Sequence, residues 1–174
     1  PSTQDHTVAV GYQAGYQTGT YGTMIGSQSG YYATGTGNTG LGYQTLRCAS
    51  GAGSGTYNTA VGYQAGRGAV IDGHRNTAIG YQSLYDLDDG SDNTAVGEQS
   101  LANVTDGDNN IALGTNAGDN ITTGSNNVVI GAADVSSATG DDQLSISSGD
   151  GSPVWMTGAS TGVQPTRMIY SQYR

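Results

Sequence analysis

The sequence predicts an all-β protein, a parallel β-roll (β-solenoid) of about eight coils. Three observations carry that prediction. The nonapeptide NTAVGYQAG at 58–66 recurs as NTGLGYQTL (38–46), NTAIGYQSL (76–84) and NTAVGEQSL (93–101). The glycines that close the aliphatic segments are Gly11, Gly26, Gly42, Gly62, Gly80, Gly97, Gly114 and Gly131, at intervals of 15, 16, 20, 18, 17, 17 and 17 residues. The chain holds 30 Gly, no Phe and only 34% hydrophobic residues, too few to fill a conventional two-layer core. A repeat of about 17 residues is shorter than most helical repeats and fits no propeller blade. It has room for two strands of about 4–5 residues and two turns, one coil of a narrow solenoid. Polar composition with a net charge of −9 would by itself suggest disorder, but disordered tracts do not repeat.

The first strand of each coil is read from three columns. Before each glycine stands an aliphatic residue: Val10, Ile25, Leu41, Val61, Ile79, Val96, Leu113 and Ile130. One step earlier the residues are mostly small: Ala9, Met24, Gly40, Ala60, Ala78, Ala95, Ala112 and Val129. The next column back is Val8, Thr23, Thr39, Thr59, Thr77, Thr94, Ile111 and Val128, all β-branched. Alternation with β-branched enrichment is a strand signature. A second, weaker strand is expected a few residues after the glycine, carrying Leu46, Leu84, Leu101 and Val135, then Leu87, Val104 and Ile121. Gly/Asn/Asp/Ser clusters such as YDLDDGSDN (85–93) and NVTDGDNN (103–110) supply the turns. The recurring Asn38, Asn58, Asn76, Asn93, Asn110 and Asn127 are expected at a corner, their amides paired from coil to coil as a ladder.

The alternation assigns two faces. The sequence places the aliphatic column in the roll core: Val10, Ile25, Leu41, Val61, Ile79, Val96, Leu113 and Ile130. The small column then points outward, where another backbone can approach closely. That arrangement predicts a homotrimer with Ala60, Ala78, Ala95 and Ala112 near the axis, and residues 1–139 as the repeat roll. Residues 140–174 are expected to hold a degenerate last coil, with Leu144 and Ile146 as its apolar pair, followed by a C-terminal cap or tip. This segment carries the one Trp and the two prolines other than Pro1. Terminal segments of solenoids shield the exposed coil edge from further stacking. Used as a tip instead, the segment offers Trp155, Tyr170 and Tyr173 as receptor-binding residues.

The array NTAVGYQAG, NTAIGYQSL and NNIALGTNAG resembles the head repeats of trimeric autotransporter adhesins and, more closely, the GNTAVGYQAL arrays of bacteriophage tail fibres. The resemblance spans roughly residues 6–135. It implies a left-handed parallel β-roll, a trimer and a role in surface attachment. The longer spacing favours the fibre-like relatives, and no heptad stalk or membrane anchor accompanies the repeats.

Chemistry-bearing motifs are sparse. Asp86 and Asp88 before Gly90 faintly resemble the start of a calcium loop, but Gly97 stands where the closing Glu belongs, so solvated turns are expected. His6 and His74 lack a matched ligand nearby, and no metal is expected. The lone Cys48 reads as a small filler. Gly-x-Gly stretches precede no helix, which removes a phosphate loop. No nucleophile–base pattern stands out, and the period rules out the six-residue acyltransferase solenoid. Tyr12, Tyr43, Tyr63 and Tyr81, each followed by Gln, form either a corner stack or a ribbed surface for sugars.

The chain has no Lys, five Arg and no 18-residue apolar run. Neither nucleic-acid binding, membrane insertion nor a signal peptide is expected. The charge favours a neutral glycan or protein as ligand. The expected function is a non-catalytic trimeric segment of a tail fibre, on a virion or otherwise extracellular, with no cofactor. Its partners would be a cell-surface glycan or protein and other fibre or virion subunits. The alternatives are a bacterial adhesin head, a subunit of an extracellular filament and a glycan depolymerase.

Overall fold

The computed structural model describes residues 6–69, 71–148 and 154–158. It is all-β in these residues, a parallel β-solenoid of about eight turns. Ten strands form one sheet in sequence order: β1 (Val8–Val10), β2 (Thr23–Ile25), β3 (Thr39–Leu41), β4 (Thr59–Val61), β5 (Thr77–Ile79), β6 (Thr94–Val96), β7 (Ile111–Leu113), β8 (Val128–Ile130), β9 (Leu144–Ser147) and β10 (Val154–Gly158). Strands β1 to β9 pair in parallel, each with the next coil's strand. The register aligns the sequence columns, as in Thr77↔Thr94, Ala78↔Ala95 and Ile79↔Val96. Spacer length therefore changes only the turns: the 20-residue step between Leu41 and Val61 leaves those two residues paired.

The structure reverses the two faces of the strand. Ala60, Ala95 and Ala112 are fully buried within their own chain and Ala78 is 2% exposed. They lie inside the roll and not at an intersubunit axis. Seven of the eight aliphatic residues assigned to the core are exposed, from Val96 at 36% to Val10 at 57%, with Ile25, Leu41, Ile79, Leu113 and Ile130 between; Val61 is half-buried. The reason is the width of the coil. Leu46, Leu84, Leu101, Leu87, Val104 and Ile121 enter from the other walls and are buried to within 2%. With those side chains inside, the strand wall has room only for a methyl. Where the small column instead carries Met24, the next coil carries Gly40. A Cβ on Gly40 would fall 3.1 Å from the Met24 sulfur and 2.5 Å from Ser29 Oγ. Large and small residues thus complement each other along the roll.

The expected second strand is absent from the described residues. Leu46, Leu84 and Leu101 lie in turns with φ of 49–50°. The opposite wall contributes only the isolated bridges Ala33↔Gly53 and Cys48↔Gly68. These apolar residues are nonetheless core, because a turn winding tightly around a narrow interior presents side chains inward as a strand would.

The asparagine ladder is present and continuous. Asn93 donates its backbone N–H to Asn76 Oδ1 at 2.9 Å, and its Nδ2 donates to the same oxygen and to the Gly107 carbonyl. Asn76, Asn110 and Asn127 repeat the motif, and Asn58 differs only in lacking the amide–amide bond. Gln143 replaces Asn in the last coil and keeps both contacts to Asn127.

In β9 Ser145 and Ser147 are buried, while Leu144 and Ile146, the apolar pair singled out from the sequence, are half-buried. Strand β10 then runs antiparallel to β9 with an irregularity between Val154 and Met156.

Candidate functional site

With the interior filled by Ala, Leu and Asn, what the molecule offers to a partner is carried by outward columns, each repeated once per coil. The first is the outer face of the sheet. Every strand from β2 to β6 presents Thr at its first position and Val, Ile or Leu at its third. In β7 and β8 the Thr is replaced by Ile111 and Val128, which makes that end still more apolar.

The second column is the corner after the strand. The glycine that forms it has φ of 131–137° from Gly11 to Gly114, a backbone open only to Gly, and a Cβ added there would run into the carbonyl of the next coil's glycine. Beyond it, Gln28, Gln44, Gln64, Gln82 and Gln99 each donate Nε2 to the Oε1 of the preceding coil's Gln, starting at Gln13. Alongside, Tyr43, Tyr63 and Tyr81 stack with centroids 5.0 and 5.5 Å apart. Three of the four tyrosines singled out from the sequence thus form a corner stack, while Tyr12, separated from Tyr43 by the coil that carries Ser27, is 72% exposed. Stacking spends both faces of Tyr63 and one face each of Tyr43 and Tyr81 on neighbouring rings.

Sequence reasoning missed a third column, Tyr16, Tyr31, Arg47, Arg67, Tyr85, Ala102, Asp119 and Asp134. A signal for it existed: the first five follow the same steps of 15, 16, 20 and 18 residues as the glycines. Tyr16 and Tyr31 stack at 5.1 Å. The Arg47 guanidinium lies over the Tyr31 ring at 5.6 Å, and that of Arg67 over Tyr85 at 5.1 Å. Nη1 of Arg67 also donates to the Tyr85 hydroxyl at 2.7 Å. Further along, burial raises the Asp119 carboxyl to about 6, helped by a side-chain hydrogen bond with Asp134 and by that group's charge.

The acidic turns form a fourth column with structural employment. Asp72, Asp108 and Asp141 each accept the backbone N–H of a serine one coil earlier, Ser54, Ser91 and Ser125, at 2.7 Å. Asp88 accepts Ala69 N–H. These bonds hold Asp72 below the usual carboxylate range. Burial raises the Asp86 carboxyl, with the Asp88 charge adding to it. No group of three His, Cys, Asp or Glu placed to hold a metal occurs among the described residues.

His74 belongs to the same stack: the Thr56 N–H donates to its Nδ1 at 3.0 Å, so that nitrogen is the acceptor. His6 stacks on Tyr21. Cys48 is fully buried and unpaired, its thiol pushed up by burial, as a filler would be. The Trp155 side chain, Tyr170 and Tyr173 lie outside the described residues. No helix among those residues is long and apolar enough to cross a membrane. Compared with protein-family models, curated proteins and solved structures, the chain matches none.

Proposed function

We propose that this chain is a non-catalytic segment of a homotrimeric fibre, most in keeping with a bacteriophage tail fibre, that serves attachment to a cell surface. The carrying observation is the exposed aliphatic column. Ile25, Leu41, Ile79, Val96, Leu113 and Ile130 are all at least 36% exposed and sit on parallel strands in register, joined by half-buried Val61. Coils repeat every ~4.8 Å, so eight coils give an apolar stripe on the order of 38 Å long. A stripe of this kind on a soluble chain asks for cover. The same stripe on identical copies supplies it, because every residue meets an equivalent one at the same height, and three copies close a ring. The axis assigned from sequence to Ala60, Ala78, Ala95 and Ala112 moves in this reading to the aliphatic column.

The reading includes left-handed winding of the roll, as the resemblance to fibre repeats implies, and a C-terminal cap beginning at β10. The antiparallel turn of β10 supports a cap, since a reversed strand cannot be followed in register by another repeat coil. Attachment by a rigid rod draws on repetition, with three equivalent faces adding weak contacts by avidity. The carboxyl pair Asp119–Asp134 does not argue for a depolymerase: two groups sharing a hydrogen bond are closer than the roughly 5–9.5 Å at which carboxyls flank a glycosidic bond.

Sedimentation velocity on the wild-type chain and on Ile79→Glu/Val96→Glu tests the assembly. The wild type is expected to sediment as a trimer and the variant as a monomer with reduced β-sheet signal. A monomeric wild type, or a variant that still trimerises, would overturn the assigned interface. Attachment is read separately, by binding of the labelled trimer to bacterial cells and its inhibition by polysaccharide released from them.

A further inference from the structure

We propose that Arg47 and Arg67, with Tyr85, form a binding site for an acidic glycan, the guanidiniums taking a sugar carboxylate and the ring an adjoining sugar. The inference rests on the attachment reading above and names the ligand class. The parallel bridge Cys48↔Gly68 sets Arg47 beside Arg67 on consecutive coils, so their α-carbons stand about 4.8 Å apart. Two like charges at that spacing repel, and the side chains splay: Arg47 leans over Tyr31 in the coil before, Arg67 over Tyr85 in the coil after. The third described arginine, Arg75, is different. It is bound at both Nε and Nη2 by Asp92. Among the described residues no carboxylate pairs with Arg47 or Arg67. Their Nε atoms are shielded from solvent and have no acceptor among the described residues. Buried donors without acceptors are rare and costly in native proteins. Among the described residues no acceptor is recorded for Arg67 Nη2 or for either terminal nitrogen of Arg47, and these atoms are not among the shielded ones.

On a chain with net charge −9, two arginines without a direct ion pair are the place where a local field opposes the global one, although the Asp86 carboxylate interacts with Arg67 at longer range. At contact distance the local pair dominates, because the remaining acidic residues are screened over roughly 8 Å at physiological salt. The planar guanidinium fork suits a carboxylate better than an ammonium would. The column itself argues for a sugar in place of a free ion. Tyr85 has Arg67 on one face, and the next residue in the column is Ala102, whose methyl is too short to cover the other face. Tyr85 itself is half-buried, so the part of its ring left to solvent is limited to that side. A glycan running along the roll would place a uronate at the arginines and its neighbour on Tyr85.

The test is calorimetric titration of the full chain with trigalacturonate, the neutral galactose trisaccharide, monomeric galacturonate and inorganic phosphate. Trigalacturonate is expected to bind, and the neutral trisaccharide at least about tenfold more weakly. Arg47→Gln/Arg67→Gln should lower trigalacturonate affinity by about tenfold or more, whereas Arg75→Gln should not. Tyr85→Ala should weaken the trisaccharide and leave monomeric galacturonate unchanged. Unchanged circular dichroism identifies variants that fold, and competition by monomeric galacturonate against trigalacturonate on the wild type reads the carboxylate contact without any substitution. No binding of trigalacturonate, equal binding by the double Gln variant, or phosphate binding as tight as trigalacturonate would each overturn the site. A trimer that still attaches to cells under any of those results would leave the fibre reading standing and remove only this ligand.

Discussion

Asn93→Ala isolates what the asparagine ladder contributes. The side-chain amide of Asn93 is wholly buried and takes part in four hydrogen bonds: Nδ2 to Asn76 Oδ1 and to the Gly107 carbonyl, and Oδ1 from both the backbone N–H and Nδ2 of Asn110. Not all four losses cost equally. Asn76 Oδ1 keeps the Asn93 N–H, and Asn110 Nδ2 keeps the Gly124 carbonyl. The Asn110 N–H and the Gly107 carbonyl lose the partners that satisfied them inside the roll. At about 1–3 kcal/mol for each orphaned buried group, the substitution should destabilise by about 2–6 kcal/mol. That is a large part of the roughly 5–15 kcal/mol that holds an ordinary domain. The assay is urea unfolding followed by far-UV circular dichroism at one fixed protein concentration, with hydrogen exchange at Asn110 N–H as the local readout. Asn103→Ala serves as the control, since that exposed amide makes one bond, to the Asp119 carbonyl, and should change stability by no more than about 0.5 kcal/mol. An Asn93→Ala protein within about 0.5 kcal/mol of wild type, with Asn110 N–H still protected, would refute the claim that buried amide pairing fixes this corner.

Two further outcomes are expected. Gly80→Ala should prevent folding or sharply lower the melting temperature, because φ is 136° there and a Cβ would be driven into the Gly97 carbonyl; a normal melting curve would contradict the close coil-to-coil approach. Asp119 gives a pH signature. Its folded pKa, about 6, lies above the ordinary carboxyl value of 3.8, so the folded state holds more protons between them. Its stabilising contribution is complete below the lower value and is lost as pH rises through the upper one. Asp119→Asn should therefore gain stability over wild type as pH is raised from about 4 to about 7, with little difference at the acid end; parallel pH profiles would exclude the pair as the cause.

The period, the strand columns, the parallel stacking and the asparagine corner were legible in the sequence. They depend on local residue type repeated at matched spacing, and repetition turns a weak local preference into a register. The Tyr–Arg column was also written in the sequence, at the glycine intervals, but its meaning depends on which neighbouring coil each arginine leans towards.

Only the tertiary structure decided which face of the strand is inside. Period-two alternation marks two faces and carries no sign, so Ala78 and Ile79 could exchange roles without changing the pattern. Hydrophobicity alone favoured Ile79. Volume decided otherwise, because Leu84 and Leu87 reach the interior from the other walls of the same coil and leave the β5 strand space for Ala78 alone. That competition is between residues brought together by winding, and no local window contains its result. The consequence reaches function: the small column closes the roll, and the aliphatic column is left on the outside.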